Sequence, residues 1–152
     1  MIRRFEKKDL HDVMSIWINE NIKAHPFIPP KYWQSHYDGV KEILPGAEVY
    51  VYILKERIVG FIGLYQDSIE GIFVEANYQG LGVGTSLLNK AKENRSRLVL
   101  KVYKKNTNAV RFYKKNGFIL EKEGEDKDTN EIEYTMIWKK NQQMKRIGSP
   151  QL

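Results

Sequence analysis

At 152 residues, 41% hydrophobic, 29% charged and +6 in formal net charge, the chain has the composition of one globular domain. The absence of cysteine excludes a disulfide framework and a thiolate nucleophile or metal site. No apolar run nears the ~20 residues that span a bilayer and MIRRFEKKDL lacks a signal-like apolar stretch, so a cytoplasmic protein with no membrane partner is expected.

From the N-terminus, IRRF reads as a short strand. Asp9 stands where it would cap a helix over LHDVMSIWINENI, in which Leu10, Val13, Met14, Ile16, Trp17 and Ile18 fall at helical spacing. HPFIPP ends that helix, and Pro30 opens the way to a second, KYWQSHYDGVKEIL. Pro45-Gly46 is a turn. The pattern then changes to alternation: EVYVYIL, a turn at KERI and IVGFIGLY predict a hairpin, and SIEGIFVEA the next strand. A glycine-rich loop runs into the helix GTSLLNKAKENR, followed by the strand RLVLKVY. NAVRFYKKNG is a short helix closed by Gly117. FILEKE and EYTMIWKK are the last strands, around the polar loop GEDKDTNE. The order β-α-α-β-β-β-α-β-α-β-β predicts an α/β (α+β) domain over residues 1–140. Its sheet is mixed and mostly antiparallel, about seven strands flanked by about four helices. Residues 141–152 read as a polar, basic tail.

The stretch YQGLGVGTSLL, residues 78–88, sets glycines at every second position where a strand gives way to a helix. Backbone N–H groups at a helix start lack intrahelical partners, and the helix dipole favours negative charge there. The junction is therefore suited to an anion, usually a phosphate, and glycine lets the backbone come close to it. A turn that merely ended a strand would need one glycine. No Lys-Ser/Thr pair closes the loop as a P-loop requires, and Thr85 or Leu87 stands where a dinucleotide fingerprint needs its third glycine. The positive charges are otherwise scattered, which suggests a solvated basic surface more than a nucleic-acid footprint. Lys104, Lys105, Lys114 and Lys115 flank the next motif.

QGLGVG, Gln79 to Gly84, resembles the [QR]-x-x-G-x-[GA] pyrophosphate loop of the GNAT superfamily, the acyl-CoA-dependent N-acetyltransferases. One strand downstream, NTNAVRFYKKNGF resembles that superfamily's N-x-x-A-x-x-[FL]-Y-x-x-x-G-F segment at every fixed position. The order of elements also matches the family fold, and the likeness in length is to small stand-alone bacterial members.

The resemblance implies acetyl-CoA as cosubstrate and no metal. The pyrophosphate would rest on the N–H groups of Gly80, Leu81, Gly82, Val83 and Gly84, with Gln79 and Thr85 as further donors. The pantetheine arm would pair with the GIFV strand through Phe73 and Val74, at a bulge where the strand splays from RLVLKVY. The N–H of Val74 or Phe73 would hold the thioester oxygen. Asn106 would bond the pantetheine or the loop, and Ala109 would stay small so that CoA can pass. Tyr113 matches the family's general acid, protonating the leaving thiolate; read on its own it is a core aromatic beside Phe112.

The base is more open. Alternation puts Ser68, Glu70, Ile72 and Val74 on one face. Glu70 is the carboxylate of choice there, although the family's usual slot falls at Ser68; Glu75 reads as loop surface. His25 and His36 lie in the first helical region, and two histidines without acidic partners do not make a metal site. The acceptor would be set by KAHPFIPPKYW, where His25, Phe27, Tyr32 and Trp33 form an apolar, aromatic slot for an alkyl amine or instead a linker packed on the sheet. The expected activity is acetyl transfer to a primary amine, either a protein lysine or a small molecule, by a monomer or homodimer. A CoA-binding sensor without turnover and an acetyltransferase acting on aminoacyl-tRNA are the alternatives, the latter prompted by the +6 charge.

Overall fold

All the expected elements are present, in the expected order, in the computed structural model, which describes residues 1–140. The predicted tail lies outside the described residues. The chain divides into two compact units, one of Met1–Gln66 with Glu70–Ala91, the other of Asp67–Ile69 with the chain from Lys92 onward.

In the first unit, β1 (Ile2–Arg4), β2 (Glu48–Leu54) and β3 (Arg57–Tyr65) form an antiparallel meander with Arg3↔Val51 and Val51↔Phe61 in register. β4 (Ser68–Val74) follows after Gln66-Asp67 alone, a connection short enough for an antiparallel pair. The alternation of β2 buries Val49 and Val51, whereas β3 is buried on both faces, Val59 and Phe61 on one and Ile58 and Ile62 on the other. Three helices belong to this unit: α1 (Leu10–Ala24), α2 (Pro30–Ile43) and α3 (Val83–Lys92), whose last residue falls in the second unit. Pro30 is the first residue of α2, where its missing N–H costs nothing. Val13 and Met14 of α1 and Leu87 and Leu88 of α3 are fully buried. Gly60 is needed in β3 because a Cβ there would lie 2.9 Å from the Phe73 carbonyl and 3.3 Å from a Val83 methyl.

Asp9 does not cap α1 with its side chain as expected. It ends a 3-10 turn, Lys7–Asp9, and its carboxylate takes Arg3 in a fork at 2.8 and 3.0 Å and the Glu6 N–H at 2.7 Å. The Arg3 guanidinium holds this buried carboxyl below its ordinary range.

The β2–β3 turn places Lys55 and Glu56 at φ +49° and +67°. Two successive left-handed residues are the signature of a type I′ hairpin, which asparagine and glycine fill with less strain. Replacing Lys55-Glu56 with Asn-Gly is expected to stabilise the protein by about 1 kcal/mol, read as a rise in the denaturation midpoint at unchanged m. An unchanged midpoint would mean that the turn is unstrained.

In the second unit, β5 (Arg97–Tyr103) pairs antiparallel with β7 (Glu131–Lys139), and β7 with β6 (Ile119–Asp126). α4 (Thr107–Lys115) links β5 to β6. Ser68 and Ile69, the first residues of β4, pair in parallel with Val99 and Leu100, and β4 continues beyond this ladder to Val74. The hydrogen-bonded order of the seven strands is β1-β2-β3-β4-β5-β7-β6. Leu98, Leu100, Phe118, Met136 and Trp138 are buried here. β6 and β7 run further into GEDKDTNE than predicted, because cross-strand pairing through Gly124↔Glu133 and Asp126↔Glu131 outweighs the low strand propensity of these residues. Among the described residues no helix is long and apolar enough to cross a membrane.

Candidate active site

The candidate residues divide between the two units. In the first, β4 ends at Val74 and a 3-10 turn, Ala76–Tyr78, leads to the glycine loop. Gly80 and Gly82 adopt φ of +80° and +87°, and a Cβ on either would meet no atom of the described residues within 4 Å. Their glycine character thus follows from the backbone turn and from a face left open. Leu81 between them is 68% exposed. The first helical closure is Ser86 N–H to the Gly82 carbonyl at 3.0 Å. This leaves the N–H groups of Val83, Gly84 and Thr85 at the helix start without intrahelical acceptors, and together with the helix dipole they form an anion-binding arrangement.

Side chains fix this loop from behind. Arg57 of β3 grips Glu75 through one nitrogen at 2.9 and 2.7 Å and lies 5.7 Å from the Tyr78 ring centre. Glu75, read from sequence as loop surface, is therefore an anchor. Gln79 does not turn its amide outward as expected. Its Nε2 donates to the Val74 carbonyl at 2.8 Å and lies 3.4 Å from Glu20 Oε1. Glu20, on α1 and 7% exposed, also faces Lys23 at 3.6 Å. Phe73 packs its ring on Phe61, centroids 5.2 Å apart, and over Gly71. Phe73, Val74, Thr85 and Ser68 are half-buried, and Glu70 is exposed on β4.

The segment between α1 and α2 folds into an aromatic cluster. His25 follows the last residue of α1 and stacks on Trp33 at 4.9 Å and 26°. Phe27 meets His25 edge-on at 5.7 Å, Tyr32 meets Trp33 at 5.0 Å, and Trp17 meets Trp33 at 6.2 Å. The contact of His25 Nδ1 with the Asn21 carbonyl, 2.8 Å, fixes the tautomer, since a carbonyl only accepts. Burial lowers the His25 pKa below its ordinary value, so the imidazole is neutral at pH 7. His36, on the exposed face of α2, packs its ring on Tyr32 at 4.5 Å and is bonded to the Tyr32 carbonyl at 2.7 Å.

In the second unit, Asn106 is the N-cap of α4, its Oδ1 accepting the Ala109 N–H at 3.3 Å. Ala109 is half-buried. At the other end Gly117, φ +93°, donates to the Lys114 carbonyl at 3.1 Å, and Phe118 donates to the Tyr113 carbonyl at 3.0 Å. This pair of bonds is a Schellman closure, in which residues of the Tyr113 and Phe118 positions also touch through their side chains. Their rings meet at 5.6 Å, and Phe112 flanks Tyr113 at 5.4 Å. Tyr113 is 7% exposed, and its hydroxyl has no hydrogen-bond partner among the described residues. Burial pushes its pKa up, so the phenol stays protonated. Lys104 and Lys105 face Glu123 at 3.8 Å and Glu131 at 3.3 Å.

The family profile of the GNAT acetyltransferase domain matches residues 45–120, from the turn before β2 to the start of β6. The chain belongs to the GNAT acetyltransferase family. It is 28% identical over 120 residues to the peptidyl-lysine N-acetyltransferase YiaC of Escherichia coli, covering 78% of this chain and 82% of that protein. It is 30% identical over 118 residues to the peptidyl-lysine N-acetyltransferase YjaB of the same organism, covering 77% and 80%. The solution structure of apo YjaB superposes with a TM-score of 0.80 at 26% identity, over 91% of this chain and 96% of that one. This GNAT enzyme is an acetyl-CoA-dependent N-acetyltransferase that acts on an amine.

Sequence reasoning missed the anchors of the acetyltransferase's loop, Arg57, Glu75 and Glu20, and the buried Asn21. Glu20 and Asn21 carried a signal. They lie three and four residues beyond Trp17 on the stripe of Val13, Ile16 and Trp17, so helical spacing alone buries them.

Proposed function

We propose that the enzyme transfers the acetyl group of acetyl-CoA to a lysine side chain within a peptide, in the cytoplasm, as a monomer or homodimer. In this reading the pyrophosphate rests on the N–H groups of Gly80, Leu81, Gly82, Val83 and Gly84, with Thr85 beside them. The N–H of Val74 or Phe73 receives the thioester oxygen, and Asn106 and Ala109 border the pantetheine. The amine nitrogen attacks the thioester carbon, the carbon–sulfur bond breaks, Glu70 takes a proton from the amine, and the Tyr113 hydroxyl donates to the departing sulfur. His25, Phe27, Tyr32 and Trp33 line the alkyl part of the acceptor.

The observation that carries this reading is the Tyr113 hydroxyl, held on a locked, buried ring and without a hydrogen-bond partner among the described residues. A base is needed because a lysine amine, with a pKa near 10.4, is neutral in only about one molecule in a few thousand at pH 7. The test is thiol release from acetyl-CoA over a panel of lysine peptides and small amines, with Glu70→Gln alongside. Amine-dependent release is expected, lowered about ten-fold or more in the variant. Tight acetyl-CoA binding with no release for any amine would favour a sensor. Full activity of Glu70→Gln would send the search for the base to a histidine or water.

A further inference from the structure

The aromatic cluster between α1 and α2 contains two buried donors that no acceptor among the described residues meets. Among the described residues, Asn21, 4% exposed, has no hydrogen-bond partner for its Nδ2, and Trp33, 9% exposed, has none for its indole Nε1. An indole nitrogen can only donate, and native folds rarely leave such groups unmet without a bound partner. Both residues adjoin His25, whose Nδ1 is bonded to the Asn21 carbonyl and whose ring lies on Trp33. Phe27 and Tyr32, half-buried, pack edge-on against His25 and Trp33. The cluster therefore joins apolar walls to N–H groups that call for an oxygen.

We propose that Asn21 Nδ2 and Trp33 Nε1 form a subsite for a carbonyl or carboxylate oxygen carried by the acceptor amine. The inference rests on reading the α1–α2 segment as the acceptor slot. A lysine within a peptide brings amide carbonyls and free lysine brings a carboxylate. A polyamine in its protonated form brings only further donors and leaves both groups unmet. The subsite thus selects an amine borne on an oxygen-bearing backbone over a bare alkyl amine of the same length. The chemistry of selection is the absence of any acceptor in the wrong substrate, which hydrogen-bonding sites reject more strongly than they reject a missing methylene.

The test follows the Trp33 indole N–H by nitrogen-15 NMR of the full chain with CoA bound, its signal assigned by Trp33→Phe or by through-bond correlation. Nα-acetyl-lysine methylamide, free lysine and pentylamine are titrated in turn. A downfield shift with the first marks a carbonyl, one with free lysine marks a carboxylate, and each should exceed the small shift that pentylamine causes by contact alone. In parallel, Trp33→Phe should lower kcat/KM for the preferred oxygen-bearing amine at least about five-fold more than it lowers kcat/KM for pentylamine, which loses only ring contact. An indole signal unmoved by both oxygen-bearing amines would show that an ordered water alone meets these donors and would overturn the subsite. A shift without acetyl transfer to any amine would uphold the subsite and sink the acceptor reading; transfer without a shift would do the reverse.

Discussion

Tyr113→Phe will lower turnover by at least about ten-fold and leave acetyl-CoA affinity and thermal stability nearly unchanged. The exchange keeps the ring, which meets Phe112 and Phe118 edge-on, and keeps the backbone carbonyl that accepts the Phe118 N–H. It removes only a hydroxyl that bonds to no protein group among the described residues, so folding loses no hydrogen bond. Burial holds the phenol protonated well above neutrality, so its loss by ionisation should not produce an alkaline decline in rate below about pH 10. A CoA thiol resembles an ordinary thiol of pKa about 8.5. Complete proton transfer from a buried phenol to its thiolate is thus uphill, so in the proposed mechanism the phenol would act chiefly by donating a hydrogen bond as charge gathers on sulfur. Steady-state kinetics, calorimetric titration and a melting curve on one preparation check all three parts. A fully active variant would remove Tyr113 from the chemistry, and a large fall in melting temperature would assign the hydroxyl a structural role.

The second large effect is expected at Gly82. A β-branched residue there would strain the backbone at φ +87°, mixing loss of stability with loss of binding. Asparagine tolerates positive φ, and its side chain would enter space that no atom of the described residues occupies within 4 Å of the Cβ. Gly82→Asn is therefore expected to fold normally and to weaken acetyl-CoA binding at least about ten-fold, or 1.4 kcal/mol, because the added atoms stand where the pyrophosphate would lie. Titration calorimetry of acetyl-CoA against Gly82→Asn and wild type decides it. Equal affinities would dismiss the phosphate cradle and leave the glycines as turn residues only.

The fold was legible because each element carried its own local signal: the apolar stripe of α1, the alternation of β2, the apolar run of β3, Pro30 at the start of α2 and Gly117 at the end of α4. What escaped lies in contacts distant in sequence. Glu75 reads as surface until β3 brings Arg57 to it, and nothing near Gln79 tells whether its amide points to a ligand or back to Val74. Asp9 misled for a related reason. An aspartate just before an apolar-periodic run satisfies the capping rule, but Arg3 offered its carboxylate a stronger, charge-assisted partner. Of the candidate site, the loop and Tyr113 came from motif spacing, whereas the donors of Asn21 and Trp33 emerge only once burial is known.

The closure of α4 changes what the segment Asn106 to Phe118 can be used to infer. Asn106 caps one end, Gly117 and Phe118 seal the other, and the Tyr113 ring supports the seal. Four of the motif's six fixed residues, Asn106, Gly117, Phe118 and the ring of Tyr113, are thus accounted for by the helix itself. A relative that had lost its activity would still be held to asparagine, glycine and phenylalanine at these places, and a single oxygen atom at the tyrosine could be shed without disturbing the helix. A survey of such chains that scores the whole motif will count folds, while one that asks only whether the aromatic before x-x-x-G-F bears a hydroxyl will sort working enzymes from retired ones.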